Sequence, residues 1–518
     1  MPLPEHDQKW PPPDQHKQLR LYTQHGAWYA GDAEVLSQVY GGGTRPAVGM
    51  DPKGWDRPNS RMSGYINRMS RWFWGTPTPA GQSRATKLHI PIAADIASTS
   101  ADLLFAEPPT LKLKGKTGQK RIDSVLHEAG VYGSLLEAGE LGAAYGGVYL
   151  RVGWDTEMCD HPVVDALPPD SAVPEFRTGR LSAVTFWRVV REDDGEVWRH
   201  LERHEKGRVY HGLYLGDEDT LGMAVPLEDD PATAEYAKIV DSDGGFDSGY
   251  PKGLLVHYVP NMRPHRKLRG TALGRSDYDG TEPMMDALDE AWTSWMRDLR
   301  LGKGRIIVPD VYLTNMGKGQ GAMWDPDREV YSGLQMLPSP DGGSMITLSQ
   351  FAIRVAEHAE TCKSLFTQIV RSAGYSVQSF GEGGDGQAQT ATEIHMQRHR
   401  SYSTRGRKIG YWTPALAWLT EAMLSVDHAV FKTKAVAERG VIEWPDGVQP
   451  DPEALSRTLD MLNRAQAASL DTKIRMLHPD WDEDQVQAEK ERLRDELGLN
   501  VPDPATMKES FVPDAGEE

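Results

Sequence analysis

The 518-residue sequence predicts an α+β protein built from several folding units. Three observations point there. Residues from about 147 to 260 read as short β segments parted by turn residues. Two later runs, 281–302 and 350–374, repeat apolar residues at helical spacing. At ~150 residues per domain, the chain has room for about three or four cores. With 39% apolar and 25% charged residues and a mean hydropathy of −0.54, the composition is that of an ordinary soluble globular protein. The opening stretch MPLPEHDQKWPPPDQHK carries no apolar h-region, and no run of 18 apolar residues occurs, so neither secretion nor membrane spanning is expected.

Residues 1–85 are rich in Pro, Gly and aromatics, with a short helix expected at 32–40 and a GGG break at 41–43. The cluster Trp72, Phe73 and Trp74 suits a subunit contact and burial in the protein's own core about equally. From 88 to 107, Ile92, Ile96, Thr99 or Ser100, and Leu103 fall at helical spacing, and Pro108-Pro109 stop the run. A single further helix is expected over 121–146, leading through YGG into VYLRVGWD. Beyond it, Asp194-Gly195 between VTFWRVVRED and EVWRHLERHE is a tight-hairpin turn pair, and RVYHGLYLGD and GLLVHYVP read as strands.

The pattern then changes. Thr281 is a natural N-cap with Pro283 in the first turn, and Met285, Leu288, Trp292, Trp295 and Leu299 follow in steps of three and four to Gly302. A Gly- and Pro-rich stretch with short β-like segments runs to 343. A second amphipathic helix places Phe351, Val355, Ala359, Cys362, Phe366 and Ile369 on one face and closes at Gly374. At ~1.5 Å per residue each rod would span roughly 30–35 Å. A Gly- and Gln-rich loop follows, then a long helix from about 391 with Pro414 inside it, where a bend near Tyr411–Pro414 is expected. Two or three helices complete the chain, broken at Pro479 and Gly498. Residues 450–518 hold 17 acidic and 8 basic side chains, half of the chain's net charge of −18.

No enzyme motif survives inspection. GEGGDG at 381–386 spells a dinucleotide fingerprint, yet Glu382 and Asp385 would repel phosphate and no βαβ unit follows. Gly115-Lys116-Thr117 resembles the end of a phosphate loop, but Thr110 stands where glycine is needed and no helix signal follows, so a solvated lysine turn is expected. His395 and His399 share a helix face, but Met396 replaces the glutamate of HExxH, and Arg398 and Arg400 would oppose a cation. Cys159 and His161 have no second pair beside them, and the two cysteines, 203 positions apart, exclude a disulfide framework and a thiolate zinc site. No catalytic residue, cofactor or metal is therefore expected. One basic run stands out in an acidic protein: Arg398, Arg400, Arg405, Arg407 and Lys408 are candidates for contact with DNA or with a neighbouring subunit, or form a solvated face.

The succession LHIPIAADIASTSADLLFAEPP, then YVPNMRPHRKLRGTALGRSDYDGTEPMMDALDEAWTSWMRDLRLGKGRIIVP, then TATEIHMQRHRSYSTRGRKIGYWTPALAWL resembles the portal proteins of tailed double-stranded-DNA bacteriophages, particularly siphoviruses of actinobacteria. The resemblance implies a portal fold in a ring, typically of twelve subunits, at one capsid vertex of the virion after assembly in the host cytoplasm. Residues 1–280 would be an N-terminal arm and α/β wing, 281–302 and 350–374 the paired stem helices, and 303–349 a β-rich clip. Residues 375–449 would carry the tunnel loop and the kinked wing helix, and 450–518 an acidic helical crown. The channel would pass double-stranded DNA during packaging and ejection, with no sequence specificity and no membrane. The terminase large subunit, a head-tail adaptor, and the major capsid and scaffolding proteins are the implied partners. Gln378, Ser379, Glu382, Asp385, Gln387 and Gln389 would form the channel loop, while Trp292, Trp295, Phe351 and Phe366 would pack the stem. The alternatives are a multidomain acidic polysaccharide hydrolase, suggested by 15 tryptophans and abundant carboxylates, or another capsid-associated structural protein.

Overall fold

A computed structural model describes residues 3–41, 87–301, 305–307, 314–315, 322–323, 347–349, 354–381, 391–445, 452–478, 481 and 483–496. The chain divides into two units, one comprising Met1–Gly386 and Gln397–Pro445, the other Gln387–Met396 and Asp446–Glu518.

The first unit opens with α1 (His16–Ala30) and α2 (Ala33–Gly41), followed after the undescribed stretch by α3 (Ile92–Phe105) and the short β1 (Thr110–Lys112). Next come α4 (Lys116–Glu128) and α5 (Val131–Tyr145), which correct the expected single helix over 121–146. The apolar periodicity runs on across the break, but Gly130 adopts a φ of 62°, a left-handed conformation that ends one helix and starts another. Lys116 likewise begins a helix rather than a solvated turn. The amides of Lys114 and Gly115 donate to the Glu438 carboxylate, each at 3.3 Å, so that helix N-terminus already holds an anion from its own chain.

The strands form two main antiparallel sheets. β2 (Gly147–Gly153) lies between β3 (Val163–Leu167) and β10 (Val256–Pro260). β4 (Ala172–Arg177), β5 (Arg180–Asp193), β6 (Glu196–Glu205), β7 (Arg208–Gly216) and β8 (Met223–Val225) follow in spatial order, with β9 (Gly245–Asp247) also paired to β7. The expected hairpin joins β5 to β6: Asp194 and Gly195 both have positive φ, 45° and 88°, as a turn matched to strand twist requires. Tyr149, Phe186 and Tyr258 fill the space between the sheets. Arg151 bridges them, donating to Asp165 beside it at 2.7 Å and to Glu202 on β6 at 2.8 Å.

Helix α6 (Glu282–Leu301) leads to β11 (Arg305–Ile307), β12 (Thr314–Asn315), β13 (Ala322–Met323) and β14 (Thr347–Ser349). β11 pairs antiparallel with β14, and β12 with β13. Helix α7 (Val355–Ala373) returns along α6 and ends at Gly374, whose φ of 101° makes the expected C-cap. Val355, expected on the apolar face, is instead 47% exposed. Helix α8 (Ala391–Val430) continues through Pro414, and β15 (Val441–Glu443) pairs with β1. Two large cores result. One packs α4, α5 and β2 against the C-terminal half of α8 through Val125, Leu135, Leu150, Trp412, Leu416 and Leu419. The other gathers Trp28, Ile92, Ile96, Tyr278, Met285, Ile369 and Tyr375 around the roots of α6 and α7.

Among its described residues the second unit contains α9 (Pro452–Arg464), α10 (Leu470–Leu477) and α11 (Glu483–Glu496), where the sequence suggests two or three helices. Ser469 caps α10 by accepting the Thr472 amide at 3.2 Å, and Ile474 of α10 and Val486 of α11 are buried. Phe351, the aromatic cluster at 72–74 and the loop residues 382–390 lie outside the described residues.

Candidate functional site

A cluster of buried polar residues lies where α6 enters the body. Ser276, Asp277, Asp279, Thr281, Glu282, Asp286, Asp289 and Thr293 are all buried along that approach and one face of the helix. Glu282, Asp286, Asp289 and Thr293 recur every three or four residues, so they make a polar stripe beside the apolar one of Met285 and Leu288. Carboxylates taken out of water need cations and hydrogen bonds to remain charged. Here the compensating groups come from six separate stretches of chain.

Asp277 takes three of them. Its Oδ2 accepts from Lys408 Nζ of α8 at 2.5 Å and from Tyr375 just beyond α7 at 2.7 Å, while Oδ1 accepts from Asn261 after β10 at 2.8 Å. Lys408 also donates to Ser100 of α3 at 2.5 Å. Asp277, Tyr375 and Lys408 are each 1% exposed, so the group holds elements together and meets no external molecule. Burial pulls the Lys408 ammonium below its ordinary pKa, with Asp277 opposing that pull. Burial, and then Asp277, push the Tyr375 phenol well up.

One turn on, Lys267 Nζ bridges Asp279 and Glu282 at 2.8 and 2.9 Å, with His25 of α1 facing the same two carboxylates. Burial alone would raise both acids. The His25 ring and the Lys267 ammonium outweigh it and hold both below the usual carboxylate range. Burial by itself would lower His25, but Asp279 and Glu282 carry it above its ordinary value. Asp289 accepts from His89 Nδ1 at 2.8 Å and from the Ile90 amide at 2.9 Å. The C-terminus of α5 abuts the same approach: Asp277 N donates to Ala143 O and Asn261 N to Gly146 O, both at 3.0 Å.

Of the residues expected to pack the stem, Trp292 and Trp295 meet edge to face at 5.1 Å, and Trp295 stacks on His358 of α7 at 6.2 Å. His358 Nε2 lies 3.0 Å from Asp298 Oδ2, a polar link between α6 and α7, and Phe366 stands edge-on to Phe380. Ordinary packing within one chain thus engages these side chains. The basic run is corrected in part. Lys408 is buried, and Arg405 donates to the carbonyls of Leu103 at 2.6 Å and Pro445 at 2.8 Å, because the face of α8 that carries them packs inward. Arg400 and Arg407 are exposed, and Arg398 lies on the same helix.

Gln378 and Ser379 sit in a single turn, Val377–Phe380, and line an open hollow of about 270 Å³ with Thr99, Asp102, Leu103 and Tyr402. Ser379 Oγ lies 2.8 Å from Ser401 Oγ of α8, which anchors the base of the loop. Glu382, Asp385, Gln387 and Gln389 fall outside the described residues. Sequence reasoning missed the cluster around Asp277 and Asp279. Its signal was six acidic residues in SDYDGTEPMMDALDE, several at helical spacing within an otherwise amphipathic helix.

Among solved structures, the neck of a native GTA particle computed with C12 symmetry is 16% identical, with a TM-score of 0.39, covering 75% of this chain and 89% of that one. The neck of an empty GTA particle computed with C6 symmetry is 13% identical, with a TM-score of 0.40 and coverage of 81% and 93%. The virion of a native gene transfer agent gives 13%, 0.35, 80% and 99%. No curated protein matches the chain. The family model for phage portal proteins of the SPP1 Gp6-like type matches residues 18–500. That family is structural rather than enzymatic and lends no support to a hydrolase. The chain belongs to the SPP1 Gp6-like phage portal protein family and is a structural portal protein of the capsid.

Proposed function

We propose that this chain closes into a homo-oligomeric ring at one capsid vertex and forms the channel through which the genome enters and leaves. Closure of a ring requires a heterologous interface, one face of a subunit against a different face of the next. In this reading residues 1–280 form the arm and wing, α6 and α7 the stem, 303–349 the clip, 375–449 the tunnel loop and wing helix, and 450–518 the crown. The clip docks the terminase large subunit during filling and a head-tail adaptor afterward, while capsid and scaffolding proteins surround the wing.

The observation that carries the proposal is the α6–α7 pair. Its far ends are joined through the antiparallel β11 and β14, and its near ends are fixed in a buried charge cluster. Such an element transmits load between a docking end and a body without changing its own shape. Purified protein is expected to form rings well above 57.6 kDa in negative-stain images. A monomer at every concentration and salt tested, by mass photometry, would overturn the proposal.

A further inference from the structure

His25, Asp279 and Glu282 offer one ligand atom each within 4.8 Å of one another, and all three side chains are buried. Neither ring nitrogen of His25 has a hydrogen-bond partner. Its Nε2 is nevertheless aimed at Glu282 Oε1 and Asp279 Oδ1, 3.6 and 3.7 Å away, beyond the length of an N–H···O hydrogen bond. The same two oxygens converge on Lys267 Nζ, so the position between them is one that already selects a cation. The partners differ in mobility. Lys267 has a side chain 40% exposed and can withdraw into water, whereas those of Asp279 and Glu282 are 1% and 3% exposed and cannot.

We propose that His25 Nε2, Asp279 Oδ1 and Glu282 Oε1 form a site for one first-row divalent cation of the zinc class, from which the Lys267 ammonium is displaced. One imidazole and two carboxylates are a donor set such ions accept, with remaining positions open to water. Zinc–ligand bonds of ~2.0–2.2 Å require His25 Nε2 to close on the two oxygens from 3.6 and 3.7 Å by a few tenths of an ångström. The surroundings orient the ligands. The Gly280 amide donates to Glu282 Oε2 at 2.6 Å, and the His25 ring stands edge-on to Tyr278 at 5.6 Å. The bound ion would join α1 directly to the root of α6. Because the imidazole must be unprotonated to ligate, affinity rises with pH. The site is a property of the single chain and does not depend on ring closure.

The test uses the full-length chain, stripped with a chelator, desalted and titrated with ZnCl2 at pH 7.5 while binding and thermal unfolding are followed. Lys267→Met removes the competing ammonium and leaves two buried carboxylates with His25 alone facing them. It is expected to melt lower without zinc, to recover with zinc, and to bind one ion about tenfold more tightly than the parent chain. His25→Gln and Glu282→Gln are expected to weaken binding by about tenfold or more. Exposed Glu128 and Asp160, with half-buried His161, form a rival group beside Cys159, so His161→Gln and Cys159→Ser must leave affinity unchanged. X-ray absorption of the zinc-loaded parent chain, which needs no variant to fold, should show imidazole and oxygen ligands without sulfur. Sulfur ligation, full binding by His25→Gln, or no tightening in Lys267→Met would each overturn the site.

Discussion

Lys408 and Asp277 make a pair whose two members depend on each other. Each is buried, and the removal of one leaves the other charged without a counterion. Lys408→Met is therefore expected to cost about 3–5 kcal/mol of unfolding free energy, and Asp277→Asn a comparable amount. The double variant should lose clearly less than the sum, a coupling that urea unfolding of all four proteins measures directly. Strict additivity would mean that the pair is not a unit. A second residue-scale expectation concerns pH. His200 and His211 stack at 5.2 Å on β6 and β7, with His200 Nε2 3.0 Å from His211 Nδ1. Burial holds His200 at about 3 and His211 at about 4, and mutual repulsion adds to the effect at His200. Both values lie below the ordinary 6.5 of the unfolded chain, so unfolded protein takes up these protons first. Their contribution is complete above pH 6.5 and is lost as pH falls toward 4. The urea midpoint should drop between pH 7 and pH 5. His211→Phe, which keeps an aromatic ring against Tyr236, should flatten that drop, and equal slopes would contradict the assignment.

At the scale of elements, two glycines with similar backbones should respond differently to the same change. Gly130, between α4 and α5, has a φ of 62° and nothing within 4 Å of an added Cβ. Gly146, between α5 and β2, has a φ of 93°, and its Cβ would stand 2.7 Å from the Arg275 carbonyl carbon, a backbone atom that cannot rotate aside. Gly130→Ala is expected to cost about 1 kcal/mol, the conformational strain alone. Gly146→Ala should cost at least about 3 kcal/mol, because the approach carrying Asp277 must also move. Thermal or urea unfolding separates the two, and similar losses would deny the close approach. The contrast also marks the reach of local sequence. The paired helices α6 and α7, the Asp194-Gly195 hairpin and the helical character of the C-terminal stretch were legible because local period and turn chemistry determine them. The division at Gly130 was not, since the apolar spacing continues across it. The buried cluster was illegible for a different reason. Lys408 meets Asp277 across 131 positions and Ser100 across 308, so nothing adjacent to it distinguishes a buried lysine from its exposed neighbours Arg400 and Arg407.

For the whole molecule, charge is the property most closely tied to the proposed channel. The chain carries a net −18, and duplex DNA carries one negative charge per ~1.7 Å of its axis, so the two repel at long range. A conduit benefits from that repulsion, because every cation that neutralises a phosphate releases counterions and tightens the hold on a strand that must slide. The proposed channel loop is consistent with such a design: Gln378, Ser379, Gln387 and Gln389 are neutral, and Glu382 and Asp385 are anionic. Reversing the two acids, Glu382→Lys with Asp385→Lys, turns a repelling loop into a gripping one in every subunit. Each phosphate newly neutralised steepens the dependence of log K on log salt by about 0.9, so the assembled variant should bind duplex DNA with a slope more negative by about 2 for each loop engaged. Phage carrying the variant should fill more slowly or stall. The parent assembly, titrated in parallel by fluorescence anisotropy, should show weak binding that fades at physiological salt. If variant and parent share one salt slope, the loop does not meet DNA and the channel lining must be sought elsewhere, with exposed Arg400 and Arg407 of α8 as the next residues to reverse.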